Sequence, residues 1–483
     1  MKKQIALLTV LALVFTILAG MTPVYAAEEQ PAMIYVATDG SDSADGSFEH
    51  PVATFEKARD IARVAGGKAV VNIRGGIYEV NDTLTLTEQD SGLTFRSYMD
   101  EEVVISGASK VDASAFKKVT DEAVLNRVVD KSARDKILSA DLKSLGITEY
   151  GRIKNQGRGT MPDPGFSTAL YVDDQMQTLA RYPNEGYINI DEVIEQGSVP
   201  RNDENLKPED FKGFKIRTND KRLDNWKDAE EIWVFGYFMH DWAEADFNVT
   251  IDFDDKNTIL SDWPSFYGVP KDRRMYFFNL LEELDAPGEW YYDKKNRILY
   301  YYPMPNENIE EVVLETPQLK HLVELKGSKE RPVQNITIRD IEFTQTTRTF
   351  MEHYEPLLRS DWAIYRGGSI LLEGSENCRI QDCNFYNLGG NAIFFSKYNY
   401  QSSVISCHLS QIGASGICFA GDPEAVRSPS FRYEESIAIP QIDRTPGSKT
   451  DNYPIECLVY DNLIHHIGLY EKQVAGVQLS MCS

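Results

Sequence analysis

The sequence predicts an all-β chain whose main body is a parallel β-helix, a solenoid of short stacked coils. The first observation is a repeat in the C-terminal third, anchored at Ile338, Ile380, Val404 and Val459. Two residues past each anchor stands Asp340, Asp382, Ser406 or Asp461, and five past it stands Phe343, Phe385, Leu409 or Ile464. The last three copies continue with Leu388-Gly389, Ile412-Gly413 and Ile467-Gly468. Short units of this kind build a core only by stacking on their neighbours. The second observation is texture. Ile336-Thr337-Ile338-Arg339-Asp340-Ile341-Glu342-Phe343 alternates apolar and polar residues with period two, which is a strand pattern. A leucine-rich repeat would need a denser leucine ladder and a fixed Asn, and neither is present. In a parallel β-helix the coils lie about 4.8 Å apart, so equivalent side chains sit directly above one another.

Taken in order, residues 1–26 read as a signal peptide. Lys2 and Lys3 precede an apolar run from Ile5 to Leu18, and Val24-Tyr25-Ala26 fits a small-residue cleavage site. The run is short for a membrane anchor and no second one follows, so the mature protein is expected to be secreted and free of the membrane. Residues 27–110 read as an N-terminal cap and the first coils. Ile34-Tyr35-Val36-Ala37 is a strand, and Thr54 to Ala62 forms a short amphipathic helix suited to covering the open end of the core. Ala69-Val70-Val71-Asn72-Ile73, Leu93 to Tyr98 and Val103 to Gly107 follow at coil spacing.

Residues 111–325 lose the repeat and gain aromatics and hairpins, which predicts an inserted antiparallel β-rich domain. Glu289 to Asp293 and Arg297 to Pro303 flank a Lys294-Lys295-Asn296 turn. Ala169 to Val172 and Gln177 to Tyr182 flank Asp173-Asp174-Gln175, a second hairpin. Residues 326–483 return to the coils and end at Ser483 in mid-repeat without a cap, which predicts a chain truncated relative to its relatives.

Charge excludes some functions. The formal charge is −24, and loss of Lys2 and Lys3 with the signal peptide takes it to −26. Nucleic acid and anionic membranes both require a basic footprint, so neither is an expected partner. The six cysteines all fall between Cys378 and Cys482. Cys383 and Cys407 share one repeat position, and Cys378 and Cys457 share another. They read as stacked thiols acting as small hydrophobes, with disulfides as the alternative in an exported protein. No Cys-x-x-Cys pair or zinc spacing is present, and Asp39, Asp42 and Asp45 miss the EF-hand pattern and read as turn formers. No metal and no cofactor are expected.

Several stretches resemble a known family. Tyr35 to Asp42, Pro51 to Phe55, Arg74-Gly75-Gly76-Ile77-Tyr78 and Asp90 to Tyr98 look like the entry of secreted right-handed β-helix proteins. Leu179-Ala180-Arg181-Tyr182-Pro183-Asn184 and the Glu289–Pro303 hairpin are more specific, and Asp361 to Gly368 with Gly389 to Phe394 completes the match. Together they resemble the β-helix glycoside hydrolases grouped with plant cell-wall fucosidases and xylanases, glycoside hydrolase family 141. The resemblance implies a right-handed parallel β-helix that acts on polysaccharide. It places the family's catalytic carboxylates on coils that would begin about where this chain stops, so no catalytic residue transfers position by position, and loss of activity is the corresponding expectation.

Glycoside hydrolysis needs two carboxyl groups, about 5 Å apart for retention or about 6.5–9.5 Å for inversion. The candidates are Glu352, Asp361, Glu373, Asp422 and Glu471, with Asp361 and Glu471 preferred because other polar residues flank them. Sugar binding is expected of the loop from Arg348 to Gly368, which carries His353, Tyr354, Trp362, Tyr365 and Arg366. Aromatic faces stack on sugar rings while Arg and carboxylates bond the hydroxyls. The alternative is a loop that packs its own aromatics on the coils. Asn391 at a coil corner either reaches a ligand or stacks internally. Lys472 belongs to a second polar cluster with Glu471 and Gln473, beside His465-His466.

The expected function is thus a secreted carbohydrate-active protein of glycoside-hydrolase type, acting on plant cell-wall-like polysaccharide or oligosaccharide by paired carboxylates. The alternatives are a non-catalytic carbohydrate-binding or surface protein, and a polysaccharide lyase using Lys472 or Arg366 as base.

Overall fold

The computed structural model describes residues 31–145, 147, 150–157, 167, 169–203, 205–350, 352, 355–356, 363–430 and 437–483. Its architecture is nearly all β. Residues with alternating β-branched and polar side chains form three parallel sheets, and the chain visits these in turn. The first sheet runs Ala32–Val36, Ala69–Ile73, Thr94–Ser97, Thr337–Arg339, Arg379–Gln381, Ser403–Ile405 and Leu458–Tyr460. The second runs Gly76–Glu79, Val103–Ser106, Glu342–Thr344, Asn384–Tyr386, His408–Leu409 and Leu463–Ile464. The third includes Leu84–Leu86, Val323–Lys326, Ile370–Glu376, Ile393–Tyr400, Ile417–Ala420 and Val477–Ser480.

The register realises the repeat residue by residue. Phe95, Ile338, Ile380, Val404 and Val459 pair in one row. Ile105, Phe343, Phe385, Leu409 and Ile464 pair in another. The Phe343 and Phe385 rings stack at 5.2 Å and 14°, and those of Phe395 and Phe419 at 4.4 Å and 10°. Equivalent positions thus bury one another, and these four phenylalanines are at most 4% exposed.

The corners between strands follow from backbone chemistry. Asp340, Asp382, Ser406 and Asp461 all have φ between 51° and 57°. Five residues earlier stand Asn335, Asn377, Gln401 and Glu456, and five later Gln345, Asn387, Gln411 and His466, all left-handed as well. Asn and Asp tolerate this conformation better than branched residues do, which is why short polar side chains recur at the corners. The Leu-Gly and Ile-Gly pairs have a different cause. A Cβ on Gly389 would lie 2.3 Å from the Thr347 carbonyl carbon, and one on Gly413 would lie 2.3 Å from the Gly389 oxygen.

The helix Phe55–Val64 covers one end of this core. The Thr54 hydroxyl accepts from the Lys57 N–H, Glu56 lies in the first turn, and Phe55, Ala58 and Ala62 are buried. Arg63 holds the fully buried Asp90 through two 2.7 Å bonds. The cysteines are all free thiols, and Cys378, Cys383, Cys407 and Cys418 are buried.

Between Thr94–Ser97 and the strand that pairs with it, Thr337–Arg339, the chain builds antiparallel sheets. The largest places Arg274–Phe278, Ile232–Gly236, Ala245–Asp252 and Thr258–Ser261 side by side around a core that includes Trp226, Phe214 and Phe277. Glu289–Asp293 pairs antiparallel with Ile298–Tyr301, as the turn residues predict. The Asp173 hairpin is tighter than its sequence suggests. Tyr171–Val172 pairs with Gln175–Met176 around an Asp173-Asp174 turn with both φ positive, and on its other side with Leu314–Pro317. Thr178–Leu179 instead runs parallel to Glu289–Trp290, and Arg181–Tyr182 joins the large sheet.

The exposed corner Asn377 isolates the backbone term. Asn377→Val should destabilise by about 1–2 kcal/mol and Asn377→Gly should not destabilise, because only the former meets the left-handed steric penalty. Denaturant midpoints of the two variants check this.

Candidate functional site

A polar seam forms where the large antiparallel sheet meets the corners of the parallel sheets. Glu244 and Asp246 stand two residues apart at the start of the strand that ends at Asp252, where Ala245 and Asp246 pair with Gly157 and Gln156. Across the seam lie Arg348, just after the second-sheet strand Glu342–Thr344, and the Tyr470-Glu471-Lys472 corner. The Lys472 N–H donates to Glu244 Oε1 at 2.6 Å. The Arg348 guanidinium lies 4.1 Å from the Tyr470 ring centre and 4.0 Å from Asp246 Oδ2. Glu244, Asp246 and Glu471 are each at most 4% exposed. Arg348 retains 21% of its side-chain exposure, and Lys472 is exposed, so the seam meets solvent at its cations.

Burial dominates the electrostatics. The Asp246 carboxyl is pushed up to about 7, chiefly by desolvation, with Glu244 adding to the shift and Arg348 opposing it. Lys472 is lowered, again chiefly by burial. A carboxyl poised near neutrality beside a cation is the arrangement that acid–base chemistry uses. The Arg348 Nε is buried and makes no hydrogen bond.

The structure gathers some of the expected residues here and distributes others. Glu471 and Lys472 are in the seam, where Glu471 also helps to raise the buried Cys418 thiol. Lys472 Nζ donates to the Gly468 and Leu469 carbonyls, as a cation does at a chain corner. Glu352 is buried and paired instead with Lys320 at 2.5 Å and with Lys154 at 3.6 Å. The Tyr365 phenol meets His321 Nε2 at 2.9 Å, and burial pushes His321 down to about 4, so its imidazole is neutral.

Arg366 is pinned. It donates to both oxygens of Glu355, to the Ser396 hydroxyl and to the Ala420 and Gly421 carbonyls. Asn391 is 2% exposed, and its amide bonds the Tyr365 and Gly367 carbonyls and the Ser415 N–H, so it braces a corner. Glu373 accepts from Ser396 and Lys397, and Asp422 caps a short 3-10 turn and accepts from Asn452. His353, Tyr354, Asp361 and Trp362 lie outside the described residues.

Glu244, Asp246 and Arg348 escaped the sequence reading as site residues. Their one available trace was Glu244-Ala245-Asp246, two carboxylates on the same face of a strand in an aromatic-rich region. Elsewhere, the two stretches that carry the more specific family resemblance meet: Glu289 accepts from the Arg181, Asp285 and Ala286 N–H groups. Among the described residues no cluster of metal ligands occurs.

No family model matches the chain. A 98-residue stretch is 34% identical to the uncharacterized protein YwoF of Bacillus subtilis (strain 168), covering 20% of this chain and 19% of that protein. The chain thus spans about a fifth of the length of that curated relative. Among solved structures, one described as a glycoside hydrolase superposes with a TM-score of 0.66 at 18% identity, over 91% of this chain and 74% of the other. The chain has a glycoside hydrolase-like fold. A complex of XylC with xylose aligns over 92% of this chain and 56% of the other at 11% identity, with a TM-score of only 0.46.

Asp246 should leave a mark on stability. Its folded value is raised above the ordinary 3.8, so its contribution is fully present below about pH 4 and is lost as pH rises towards 7. Asp246→Asn removes this dependence. The stability difference between variant and wild type should therefore shift in favour of the variant between pH 4 and pH 7, as measured by urea unfolding at a series of pH values.

Proposed function

We propose that the protein is a secreted, carbohydrate-active protein of glycoside-hydrolase type, resembling glycoside hydrolase family 141 and acting on plant cell-wall-like polysaccharide. Its three parallel sheets are read as a right-handed parallel β-helix, with the antiparallel region at 111–325 as an inserted domain. The observation that carries this reading is Asp246, a carboxyl held at about 7 next to other buried carboxylates and a partly exposed arginine. The likeness to a glycoside hydrolase structure supports the scaffold. The signal-peptide pattern of residues 1–26 supports export.

In this mechanism Asp246 is the general acid. Near neutral pH about half of it carries the proton that the departing glycosidic oxygen must receive. We assign the second carboxyl to Glu471, as the base that takes a proton from the water whose oxygen bonds to the sugar carbon as the bond to the departing oxygen breaks. Arg348 binds sugar hydroxyls at the mouth of the seam and keeps the charge balance as Asp246 ionises. No step requires a metal or a cofactor.

The lyase alternative needs a neutral base. Burial lowers Lys472 towards that role, but its Nζ donates to two carbonyls, an arrangement that favours the charged amine. Hydrolysis is therefore the better reading of the seam.

Reducing-end release from neutral cell-wall polysaccharides tests it. Asp246→Asn and Glu471→Gln should each lower the rate by about 10²-fold or more, without an unsaturated product absorbing in the ultraviolet. Unchanged rates in both variants would remove the seam from the chemistry. Binding without any release would leave the non-catalytic reading.

A further inference from the structure

A second feature lies on the outer face of the second sheet, beside the seam. Inward residues of that sheet fill the core, so period-two alternation places the intervening residues outside in rows. Val104, Glu342, Asn384 and His408 form one row, and Ser106, Thr344 and Tyr386 form the next. The Asp173-Asp174 turn stands over these rows. The Asn387 side chain holds it by donating to the Asp174 carbonyl, and Asp173 Oδ1 accepts from the Val313 N–H. Two clefts result, of about 480 Å³ and 490 Å³. Both are lined by Asp174, Glu342 and Tyr386, so they form one groove that crosses successive tiers and reaches Tyr470 at the seam.

Polar and acidic side chains predominate in the lining, and its lysine, Lys110, is paired with Glu79 at 2.5 Å. Gln345, fully buried, donates to both Asp174 and Glu315 and accepts from Ser106. Asp174, Glu315 and Glu342 are all raised, each chiefly by burial. The buried Thr344 hydroxyl on the floor makes no hydrogen bond of normal geometry and lies within electrostatic reach of the Tyr386 phenol. Tyr171, Tyr386 and Tyr470 supply the aromatic surface. His408 and His465 meet Nε2 to Nε2 at 2.8 Å towards the far end.

We infer that this groove binds an extended, uncharged, β-linked polysaccharide chain and leads it to the seam. The inference rests on the hydrolase reading for the direction of the chain, but not for binding itself. Carboxylates, amides and hydroxyls repeating at tier spacing match the repeating hydroxyls of a sugar chain, and tyrosine faces match its apolar ring faces. The four tiers from Val104 to His408 span about 14 Å at sheet spacing, enough for several sugar units in a straight path. An acidic lining repels polyuronates. A polypeptide adding as a strand finds no free edge there, since the strands lining the groove between the terminal tiers are paired on both sides.

The test is calorimetric titration of the full chain with xylohexaose and cellohexaose, beside hexagalacturonate and hexalysine. The expected result is binding of a neutral hexasaccharide, tighter than that of the disaccharide, with no binding of hexagalacturonate. Asn384→Trp, which fills the groove from an exposed position, and Tyr386→Ala should each weaken binding about ten-fold or more. Asn377→Gly, at an exposed corner outside the groove lining, should bind as wild type does. Absence of binding by either neutral hexamer, indifference to both groove variants, or stronger binding of hexalysine would overturn the inference. If groove binding stands while no sugar is released, only the hydrolase reading falls.

Discussion

Everything in this structure depends on in-register stacking of equivalent residues between parallel tiers. A strand of two to four residues cannot hold its own conformation, and here each gains stability by hydrogen-bonding a copy of itself above and below. The stacking requires each tier to turn its corners at the same positions. That condition is met by left-handed residues recurring at five-residue intervals: Asn335, Asp340 and Gln345 in one tier, Asn377, Asp382 and Asn387 in the next. The backbone geometry of the corners therefore sets the register of Ile338 over Ile380 and Phe343 over Phe385. The hydrophobic effect then rewards that register by burying the matched apolar rows.

The same regularity shapes the outer surface. Since inward positions are committed to the core, every second residue of the second sheet faces out in a straight row. A groove appears once the antiparallel region lays the Asp173-Asp174 turn over those rows. The seam arises in another way. Two surfaces folded from distant parts of the sequence meet there, and Asp246 loses water beside Glu244 and Arg348. Desolvation outweighs the attraction of Arg348, so Asp246 rises to about 7 rather than falling. The fold thus supplies a raised acid from ordinary residues by packing alone.

Several polar residues that look available in sequence turn out to be occupied. Arg366 spends its guanidinium on Glu355 and backbone carbonyls, and Asn391 closes the hydrogen bonds of a corner. Stacked parallel sheets bury many backbone groups at the corners between their strands, and each must find a partner. Long or branched polar side chains near corners are drawn into that task first, before any ligand competes for them.

The sequence by itself determined the all-β class, the stacking rows, the capping helix and the Glu289 hairpin, because each is written in local periodicity or turn chemistry. It marked Asp340, Asp382, Ser406 and Asp461 as a recurring position but read Asp340 within a single strand. The left-handed corners there and five residues to either side emerged only in the structure, which breaks that run into Thr337–Arg339 and Glu342–Thr344. It drew attention to Glu471 and Lys472. Packing alone brings Glu244 to the Lys472 N–H and Asp246 beside Arg348, and sets Asp174, Glu315 and Glu342 around a common groove. Those neighbours are separated by up to about half the chain, and no local pattern encodes which surfaces the antiparallel sheets will cover. Charge, burial and proximity are properties of the packed molecule, and the chemistry follows from them.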